Sequence, residues 1–519
     1  MSEQAVREVV IVGGGTAGWL TAGVIAAEHR DAHGPTLKIT VLESPQVPTI
    51  GVGEGTWPSM RDTLRAIGVS ETELVRQCDA TFKQGSRFAR WRRDTAADAY
   101  DHPFTLPHGH GEASLVAGWL PHAERVGFAE AVSVQPRLCA AGRAPKQLAT
   151  PEYAAVANYA YHLDAAKLGA FLQRHCVERL GVVHVRDHML EVQAHDNGDI
   201  AALRTQAHGA LRGDLFIDCT GLRALLIGAH YGIGHVCCRQ ALFNDRALAL
   251  QVPHASAQAP IACQTLSTAQ RAGWIWDIGL SARRGVGHVY SSAHTSDDEA
   301  EATLRGYIAA SGGPGEAALA TPLRLSLEPG YRRTAWHRNC VAVGLSAGFV
   351  EPLEASSLVL VELAAASLSQ QMPATRAAMD VLAARFNEAF AYRWQRVVDF
   401  LKLHYVLSAR EDSDYWRDHR RQDSWTDALR TLLPLWRQQP PSRHDLARAD
   451  EVFPSASYQY ILYGMGFRPD PRPPRRADDP VRAQAAFAEV AELARRMLAA
   501  LPDHRALVDH IRHHGLSPI

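Results

Sequence analysis

Apolar residues near the start of the chain follow the pattern of a strand, a turn and a helix. The residues of Val9–Val12 are all β-branched, which is typical of a buried strand. The apolar run from Trp19 to Ala27 is long enough for a helix, and Leu37–Leu42 predicts a second strand. Strands that alternate with a helix in this order indicate an α/β fold.

Further along, the pattern changes between helix and strand several times. An amphipathic helix is predicted over 162–180, and strands are predicted over Val182–Val185, Met189–Val192 and Leu215–Asp218. Residues 235–320 contain segments in which apolar and polar positions alternate. This alternation predicts an antiparallel sheet.

The remaining segments are predicted as loops or helices. Residues 94–150 are rich in His, Gly, Pro and Ala without a sustained period, which favours long loops over a site. An apolar helix is predicted over Leu358–Leu368. The last 150 residues or so are mostly helical in pattern, with a last helix from about Pro480 to Leu501.

The turn after the first strand has the spacing of a dinucleotide-binding loop. Glycines stand at positions 13, 15 and 18, where Gly13 permits a tight turn, Gly15 lets a pyrophosphate approach the backbone, and Gly18 lets the helix pack on the strand. Glu43 ends the second strand, close to where an acidic residue binds a ribose hydroxyl. The chain is therefore predicted to bind FAD or NAD(P).

A second turn favours FAD over NAD(P). Asp218 ends a buried strand and is followed by Cys219-Thr220-Gly221, a turn that closes the cofactor domain in FAD-binding folds. We predict a discontinuous FAD-binding Rossmann-like domain of the flavin monooxygenase type over 1–375, with the sheet at about 235–320 covering the flavin and substrate loops at about 94–150. Residues 376–519 are predicted to form a mostly helical substrate-binding subdomain.

Composition narrows the class of protein. The chain has 519 residues, 46% of them hydrophobic, and a formal net charge of −1. It has no apolar run of about 18 residues, the length of a membrane span, and its charge gives no reason to expect a nucleic-acid partner. The cysteines lack C-x-x-C spacing, which favours reduced thiols in a cytoplasmic protein. His108 and His110 lack further ligands at metal-binding spacing, so no metal site is predicted.

Two loop-to-helix junctions have the residue types of a ligand site. Gly53 and Gly55 form a loop whose backbone can lie against a flat ligand, and Trp57 follows before a helix begins at Pro58-Ser59. Ser356 and Ser357 precede the apolar helix, where unpaired N–H groups can bind an anion. Lys83 lies in a separate segment, and a lone lysine is usually a solvated surface residue.

Five ordered motifs resemble those of the flavin-dependent halogenases, the tryptophan halogenase family. They are Gly13–Trp19 (G-x-G-x-x-G-W), Gly53–Ser59 (the family's G-E-A-T-I-P-S), Phe82-Lys83, Trp274-Ile275-Trp276-Asp277-Ile278 (W-x-W-x-I) and Pro352-Leu353-Glu354. Gly279 stands where the family usually has proline after the fourth motif. The resemblance covers nearly the whole chain.

The resemblance implies a reaction in two chambers. FAD, reduced by a separate NAD(P)H-dependent flavin reductase, would react with O₂ and a chloride or bromide ion to give hypohalous acid. This oxidant would travel to Lys83, which either hydrogen-bonds it or becomes a haloamine that halogenates an electron-rich aromatic. Glu354 would polarise the oxidant or take the ring proton, and Ser356 and Ser357 would hold the halide.

The resemblance also implies the remaining site residues and assembly. Residues that would contact FAD, beyond those already named, are Thr16, Ala17, Gly53, Met189, Leu345 and Leu358. Trp274 and Trp276 are the family's signature pair. The family pattern leaves room for a homodimer.

Departures from the family pattern bear on the substrate. The tryptophan halogenases have an aromatic-rich lid that clamps the amino acid, whereas the segment Pro441–Ser455 has Phe453 as its only aromatic residue. We therefore expect indole or a larger aromatic molecule as substrate, in a slot lined by Trp57 and Phe104. A flavin-dependent aromatic monooxygenase and a non-catalytic flavin-binding protein are the alternatives.

Overall fold

The computed structural model of the chain describes residues 5–47, 53–111, 114–315, 320–471, 473, 475–476 and 478–518. Its strands are β1 (Glu8–Val12), β2 (Arg30–Asp31), β3 (Gly34–Pro35), β4 (Lys38–Glu43), β5 (Gly53–Gly55), β6 (Thr81–Lys83), β7 (Gly85–Ala89), β8 (Ala99–Pro103), β9 (Ala160–Asp164), β10 (Val183–Arg186), β11 (Met189–Ala194), β12 (Ile200–Thr205), β13 (Ala210–Arg212), β14 (Leu215–Asp218), β15 (Val236–Cys237), β16 (Arg246–Pro253), β17 (Thr265–Gln270), β18 (Gly273–Gly279), β19 (Arg283–Tyr290), β20 (Leu323–Ser326), β21 (Gly330–Tyr331), β22 (Trp336–His337), β23 (Cys340–Ala342) and β24 (Gly348–Phe349).

The helices are α1 (Thr16–Glu28), α2 (Ser59–Ala66), α3 (Glu71–Gln77), α4 (Leu115–Trp119), α5 (Phe128–Val132), α6 (Gln135–Ala140), α7 (Ala165–Leu180), α8 (Asp297–Ala310), α9 (Ser356–Gln370), α10 (Arg376–Val406), α11 (Asp414–His419), α12 (Asp427–Gln438), α13 (Ser455–Gly464), α14 (Pro480–Ala500) and α15 (His504–His514).

Two sheets organise the molecule. Within the described residues, the first has the strand order β10-β4-β1-β14-β23-β22, and all its pairs except β22–β23 are parallel. Helix α1 connects β1 to the other strands and packs with α7 and α9. The predicted α/β fold with a Rossmann-like strand–turn–helix is confirmed.

The second sheet has the order β20-β16-β19-β18-β17-β7-β8 in the described part of the chain. Strands β16 to β19 pair as predicted for 235–320, but this segment also contains helix α8. The sheet extends beyond the predicted segment, because β7 pairs in parallel with β17 and carries β8 at the edge. A second buried core, rich in Trp and Tyr, lies between this sheet and helices α10 and α13.

The prediction of one helix over 162–180 is wrong at its start. Residues Ala160–Asp164 form strand β9, and α7 begins at Ala165 with Asp164 as its N-cap. Every residue of β9 is buried, so the strand shows no alternation of apolar and polar positions, and periodicity alone does not distinguish it from a helix.

Two further predictions need correction. Residues 94–150 are not only loops, since they contain β8 and helices α4, α5 and α6, whose apolar side chains are buried. Helices of five or six residues are too short to display a 3.6-residue period. The helix at Pro480–Ala500 is followed by α15, so it is not the last one.

Candidate active site

The glycine loop between β1 and α1 has the shape of a phosphate cradle. Gly13 has φ +116°, and a Cβ there would lie 2.2 Å from Cys219 O. A Cβ at Gly18 would lie 1.9 Å from Gly13 O, whereas a Cβ at Gly15 would meet nothing within 4 Å. Side chains at Gly13 and Gly18 would therefore clash with the protein, whereas the space beside Gly15 is free of protein atoms. Helix α1 starts there without a side-chain cap, so its first N–H groups suit the pyrophosphate of FAD.

The acidic residue at the end of β4 lies beside this loop. A Cβ at Gly14 would lie 2.2 Å from the Glu43 carboxyl carbon, and His184 Nε2 lies 2.9 Å from Glu43 Oε2. His188 bonds the neighbouring Ser44 hydroxyl at 3.1 Å, and Met189 follows at the start of β11. Glu43 and Met189 are thus near each other on the side where the adenosine half of FAD would bind.

Asp218 organises its own turn. Its carboxylate accepts bonds from the Thr220 N–H and hydroxyl at 3.0 and 2.6 Å and from the N–H groups of Leu226 and Ile227 at 2.8 and 2.9 Å. With both oxygens occupied, Asp218 fixes the shape of its own turn.

The loop at Gly344, which follows β23, packs against the glycine loop between β1 and α1. A Cβ at Gly344 would lie 2.8 Å from Ala17 Cβ, and Leu345 follows in a short 3₁₀ turn. The Thr16 hydroxyl donates a hydrogen bond to Ala165 O, at the start of α7, at 3.2 Å. The predicted FAD residues at 13–18, 218 and 345 therefore converge on one end of the parallel sheet.

A cavity of about 330 Å³ lies between β5 and the second sheet, and Gly53 and Trp276 line it. Trp274 stands two residues earlier on β18, with its indole N–H bonded to Glu351 Oε2 at 2.7 Å. The same carboxylate oxygen accepts from Tyr405 OH at 2.8 Å and from Asn244. Trp276 thus forms a wall of the cavity, and Trp274 anchors the loop that leads to Glu354.

Lys83 is buried next to Gly53–Gly55, which is predicted as a loop but forms strand β5 because it pairs with β9. Strand β9 pairs with β5 on one side and with β6 on the other, so it brings Lys83 against Gly55, whose Cβ would lie 3.1 Å from Lys83 Nζ. The ammonium lies 5.2 Å from the centre of the Phe104 ring, and no described residue hydrogen-bonds it. Burial lowers the pKa of Lys83 to about 8, although the Glu354 carboxylate opposes this shift.

Glu354 is buried between two histidines. His102 Nδ1 lies 2.9 Å and His404 Nε2 lies 3.3 Å from Glu354 Oε1. Burial alone would raise the pKa of Glu354, but His102 and then His404 hold it at about 2. The indole N–H of Trp57 donates to Glu354 O at 2.7 Å and fixes the backbone at the same residue. The side chain is therefore an ionised, oriented carboxylate in a site without bulk water.

The start of α9 follows directly after Glu354. Ala355 has φ +54° as the N-cap, and Ser356 and Leu358 are buried in the first turn while Ser357 is half-buried. No side chain caps this helix, so the N–H groups at its start suit an anion such as a halide.

Aromatic rings surround the space beside Glu354. The ring of Phe453 stacks on Phe400 with centroids 3.8 Å apart, and it meets the half-buried Trp57 ring edge-on at 4.9 Å. The sequence predicts Trp57 and Phe104 as slot residues but does not predict His102, His404 or Phe453, which lie beside Glu354 or Trp57 in the structure. His102 falls in the segment interpreted as loops, and His404 lies in a 31-residue helix, where a histidine gives no local signal.

Comparisons with known proteins agree with this geometry. Residues 8–480 match the tryptophan halogenase family. The chain is 36% identical to tryptophan 6-halogenase SttH of Streptomyces toxytricini over 95% of this chain and 96% of the relative.

Solved structures are similar over nearly the whole chain. A tryptophan halogenase from Shewanella frigidimarina has a TM-score of 0.95 at 49% identity and covers 99% of each chain. BrvH, a flavin-dependent halogenase from Brevundimonas sp. BAL3, has a TM-score of 0.84 at 34% identity and covers 97% of this chain and 99% of its own.

Among the described residues, no helix is long and apolar enough to cross a membrane, and no cluster of potential metal ligands is present. The family halogenates aromatic molecules with FADH₂ from a separate flavin reductase, O₂ and a halide. The chain belongs to the tryptophan halogenase family and is a flavin-dependent halogenase.

Proposed function

We propose that Lys83 and Glu354 are the catalytic residues of this halogenase. FAD supplies the reduced flavin that activates O₂ for oxidation of the halide. Lys83 then receives the hypohalous acid, either through a hydrogen bond or as a haloamine, and presents the halogen to the substrate. Glu354 removes the proton from the halogenated ring carbon. The observation that carries this proposal is the convergence of a buried lysine without a bonded partner and an ionised buried glutamate, each in its predicted motif.

The halide is assigned to the first turn of α9. Ser356 and Ser357 offer backbone N–H groups at the positive end of a 15-residue helix, which favours an anion. Leu358, buried one residue further on, is assigned to the flavin side.

The proposed substrate is indole or a larger aromatic molecule, rather than free tryptophan. An amino acid needs partners for its ammonium and carboxylate, since these groups lose water on binding. In Pro441–Ser455, three of the charged side chains already have partners on helix α10. Arg448 pairs with Glu388 at 3.2 Å, Asp450 pairs with Arg393 at 2.8 Å, and Glu451 accepts from Tyr392.

The aromatic slot supports the same choice. Trp57, Phe104 and Phe453 supply apolar surface close to Lys83 and Glu354. Bare indole buries its ring there without desolvating a charge. Because an open slot does not override intrinsic reactivity, we expect halogenation at indole C3, the most nucleophilic carbon.

The test compares kcat/KM for indole and L-tryptophan with purified protein, a flavin reductase, FAD and bromide or chloride. We expect indole to be the better substrate and the product to carry halogen at C3. A preference for tryptophan, or clean halogenation of its benzene ring, would contradict the substrate proposal while leaving the halogenase assignment intact.

Assembly, location and domain boundaries are also proposals. We propose a homodimer in the cytoplasm, with the cofactor domain over 1–375 and the helical subdomain over 376–519. Light scattering of the purified chain tests the dimer, and limited proteolysis near 375 tests the boundary.

A further inference from the structure

Two histidines from distant parts of the chain meet at one oxygen of Glu354. His102 comes from β8 and His404 from α10, and both face Oε1. No described residue hydrogen-bonds Oε2. The carboxylate is therefore held on one side and left open on the other.

Each histidine has a hydroxyl group behind it. The Ser457 hydroxyl lies 2.9 Å from His102 Nε2, and the Tyr100 hydroxyl lies 2.6 Å from His404 Nδ1. An ionised carboxylate only accepts hydrogen bonds, so His102 Nδ1, which is hydrogen-bonded to it at 2.9 Å, carries a proton. His404 Nε2 lies 3.3 Å from the same oxygen as an ion-pair contact. The opposite ring nitrogens lie within hydrogen-bonding distance of the Ser457 and Tyr100 hydroxyls. This arrangement forms two hydroxyl–histidine–carboxylate chains.

The groups of these two chains are all shielded from solvent. His404 is fully buried, and Glu354, Tyr100, His102 and Ser457 are each less than 9% exposed. Water is therefore a poor substitute for any of these hydrogen-bonding groups. If one hydroxyl is lost, the histidine ring bonded to it is free to change tautomer or to rotate.

We propose that His102 and His404 are positioning residues that keep Glu354 ionised with Oε2 aimed at the substrate, and that Ser457 and Tyr100 set the ring tautomers this requires. The proposal rests on the proposed role of Glu354 as the base. In the proton-transfer step, the C–H bond of the halogenated carbon breaks and its electron pair returns to the ring. The proton bonds to Oε2, and neither histidine exchanges a proton.

The histidine test separates loss of the donor from loss of structure. His102→Asn keeps an N–H close to the Nδ1 position, whereas His102→Leu removes it. We expect kcat for His102→Leu to fall by about 10²–10⁴-fold, the range of general acid–base catalysis, and His102→Asn to recover most of the rate. KM for the aromatic substrate should change little in either variant.

The hydroxyl test avoids variants that fail to fold. Tyr100→Phe and Ser457→Ala each remove one oxygen, and we expect each to lower kcat by about tenfold, a loss equivalent to one hydrogen bond. His175→Asn, on α7 where the ring bonds Ile67 O, is the matched control. FAD binding measured by flavin fluorescence reports folding in every variant.

The pH profile is a readout that a purely structural role does not move. The groups facing the Glu354 carboxylate are His102, His404 and the Lys83 ammonium. Removal of a histidine donor raises the glutamate pKa, so the acid limb of kcat should move to higher pH in His102→Leu and Tyr100→Phe. Wild-type kcat and an unmoved acid limb in all these variants would overturn the proposal.

Glu354→Gln distinguishes this outcome from failure of the proposed function. A rate that falls by about 10²–10⁴-fold in Glu354→Gln, with wild-type rates in the histidine and hydroxyl variants, would reject only the positioning roles. Full activity in Glu354→Gln would reject Glu354 as the base and both roles with it.

Discussion

Lys83 differs from a surface lysine in two ways. It is 1% exposed, and its ammonium contacts the face of Phe104 rather than a carboxylate. Because burial lowers its pKa to about 8, an appreciable fraction is the neutral amine near pH 8. A neutral amine is the form that a haloamine requires, while the ammonium is the form that donates a hydrogen bond to the oxidant.

Replacement of Lys83 by alanine should remove aryl halide formation and leave FAD binding and flavin oxidation unchanged, because the lysine acts after the oxidant is formed. We expect product formation to fall by more than about 10²-fold, measured by chromatography of the halogenated product.

The matched control for this variant is Lys38→Ala, at an exposed lysine of β4 that pairs with Glu8. Oxidant released by Lys83→Ala should be captured by an added thiol. Near wild-type halogenation by Lys83→Ala would show that the lysine has no such role.

At the scale of elements, the site depends on short segments that meet through β9. The sequence alone predicted β1, α1 and β4 because each has a clear period or glycine spacing. It did not predict β9, which is buried on every side, or the short helices of 94–150. The family motifs predicted Lys83 and Glu354 as site residues but not His102 or His404, since these two reach Glu354 only through a contact between β8, α10 and the loop before α9.

Glu362 joins two of these elements. It lies on α9 and accepts from the hydroxyls of Thr63 at 2.7 Å and Ser59 at 3.3 Å on α2. Burial raises its pKa to about 7, and these hydroxyls oppose the shift only in part. The folded protein therefore binds this proton more tightly than the unfolded chain, so the stabilisation is complete below about pH 4.5 and is lost as the pH rises through 7.

Glu362→Gln keeps the acceptor and removes the charge. We expect it to raise the free energy of unfolding at pH 8 by up to about 3 kcal/mol, since one pKa unit corresponds to about 1.4 kcal/mol, and to change it little at pH 5. Denaturant titrations at the two pH values measure the difference. The exposed Glu388→Gln serves as control, and an equal effect of Glu362→Gln at both pH values would contradict the assigned titration.

At the scale of the molecule, helix α15 meets strand β6 next to Lys83. The backbone N–H of Phe82 donates to Nε2 of His504 on α15 at 2.9 Å, and His504 Nδ1 lies 3.1 Å from Ile261 O. Burial lowers the pKa of His504 to about 4, so the ring is neutral and able to accept. Helix α15 thus supports strand β6, which carries Lys83.

His504→Leu should leave the Phe82 N–H buried without an acceptor, at a cost of about 1–3 kcal/mol in the free energy of unfolding. His504→Gln offers an amide oxygen in the same region and should recover part of this loss. His513→Leu, at an exposed residue of the same helix, should lie within about 0.5 kcal/mol of wild type. Chemical denaturation gives the free energy of unfolding of wild type and the three variants. Equal values for His504→Leu and wild type would show that the contact between Phe82 and His504 contributes nothing to stability.

The whole chain carries one G-x-G-x-x-G loop, and the cofactor residues converge on it. We therefore expect NADPH alone to support no halogenation, and FADH₂ generated photochemically to support it without any reductase. Measured turnover with NADPH and FAD in the absence of a reductase would show a nicotinamide site in this chain.

The Trp57 indole N–H, bonded to Glu354 O, has a consequence for engineering. A residue proposed to line the substrate slot is a natural position for a mutant library, but the Trp57 ring also fixes the backbone of Glu354, the proposed base. Diversity introduced at Trp57 will mix changes in selectivity with losses of turnover. A library at Phe104 alters the proposed slot while keeping that bond and is the better starting position for enlarging the range of accepted aromatics, whereas Phe453 is buried against the Trp57 ring.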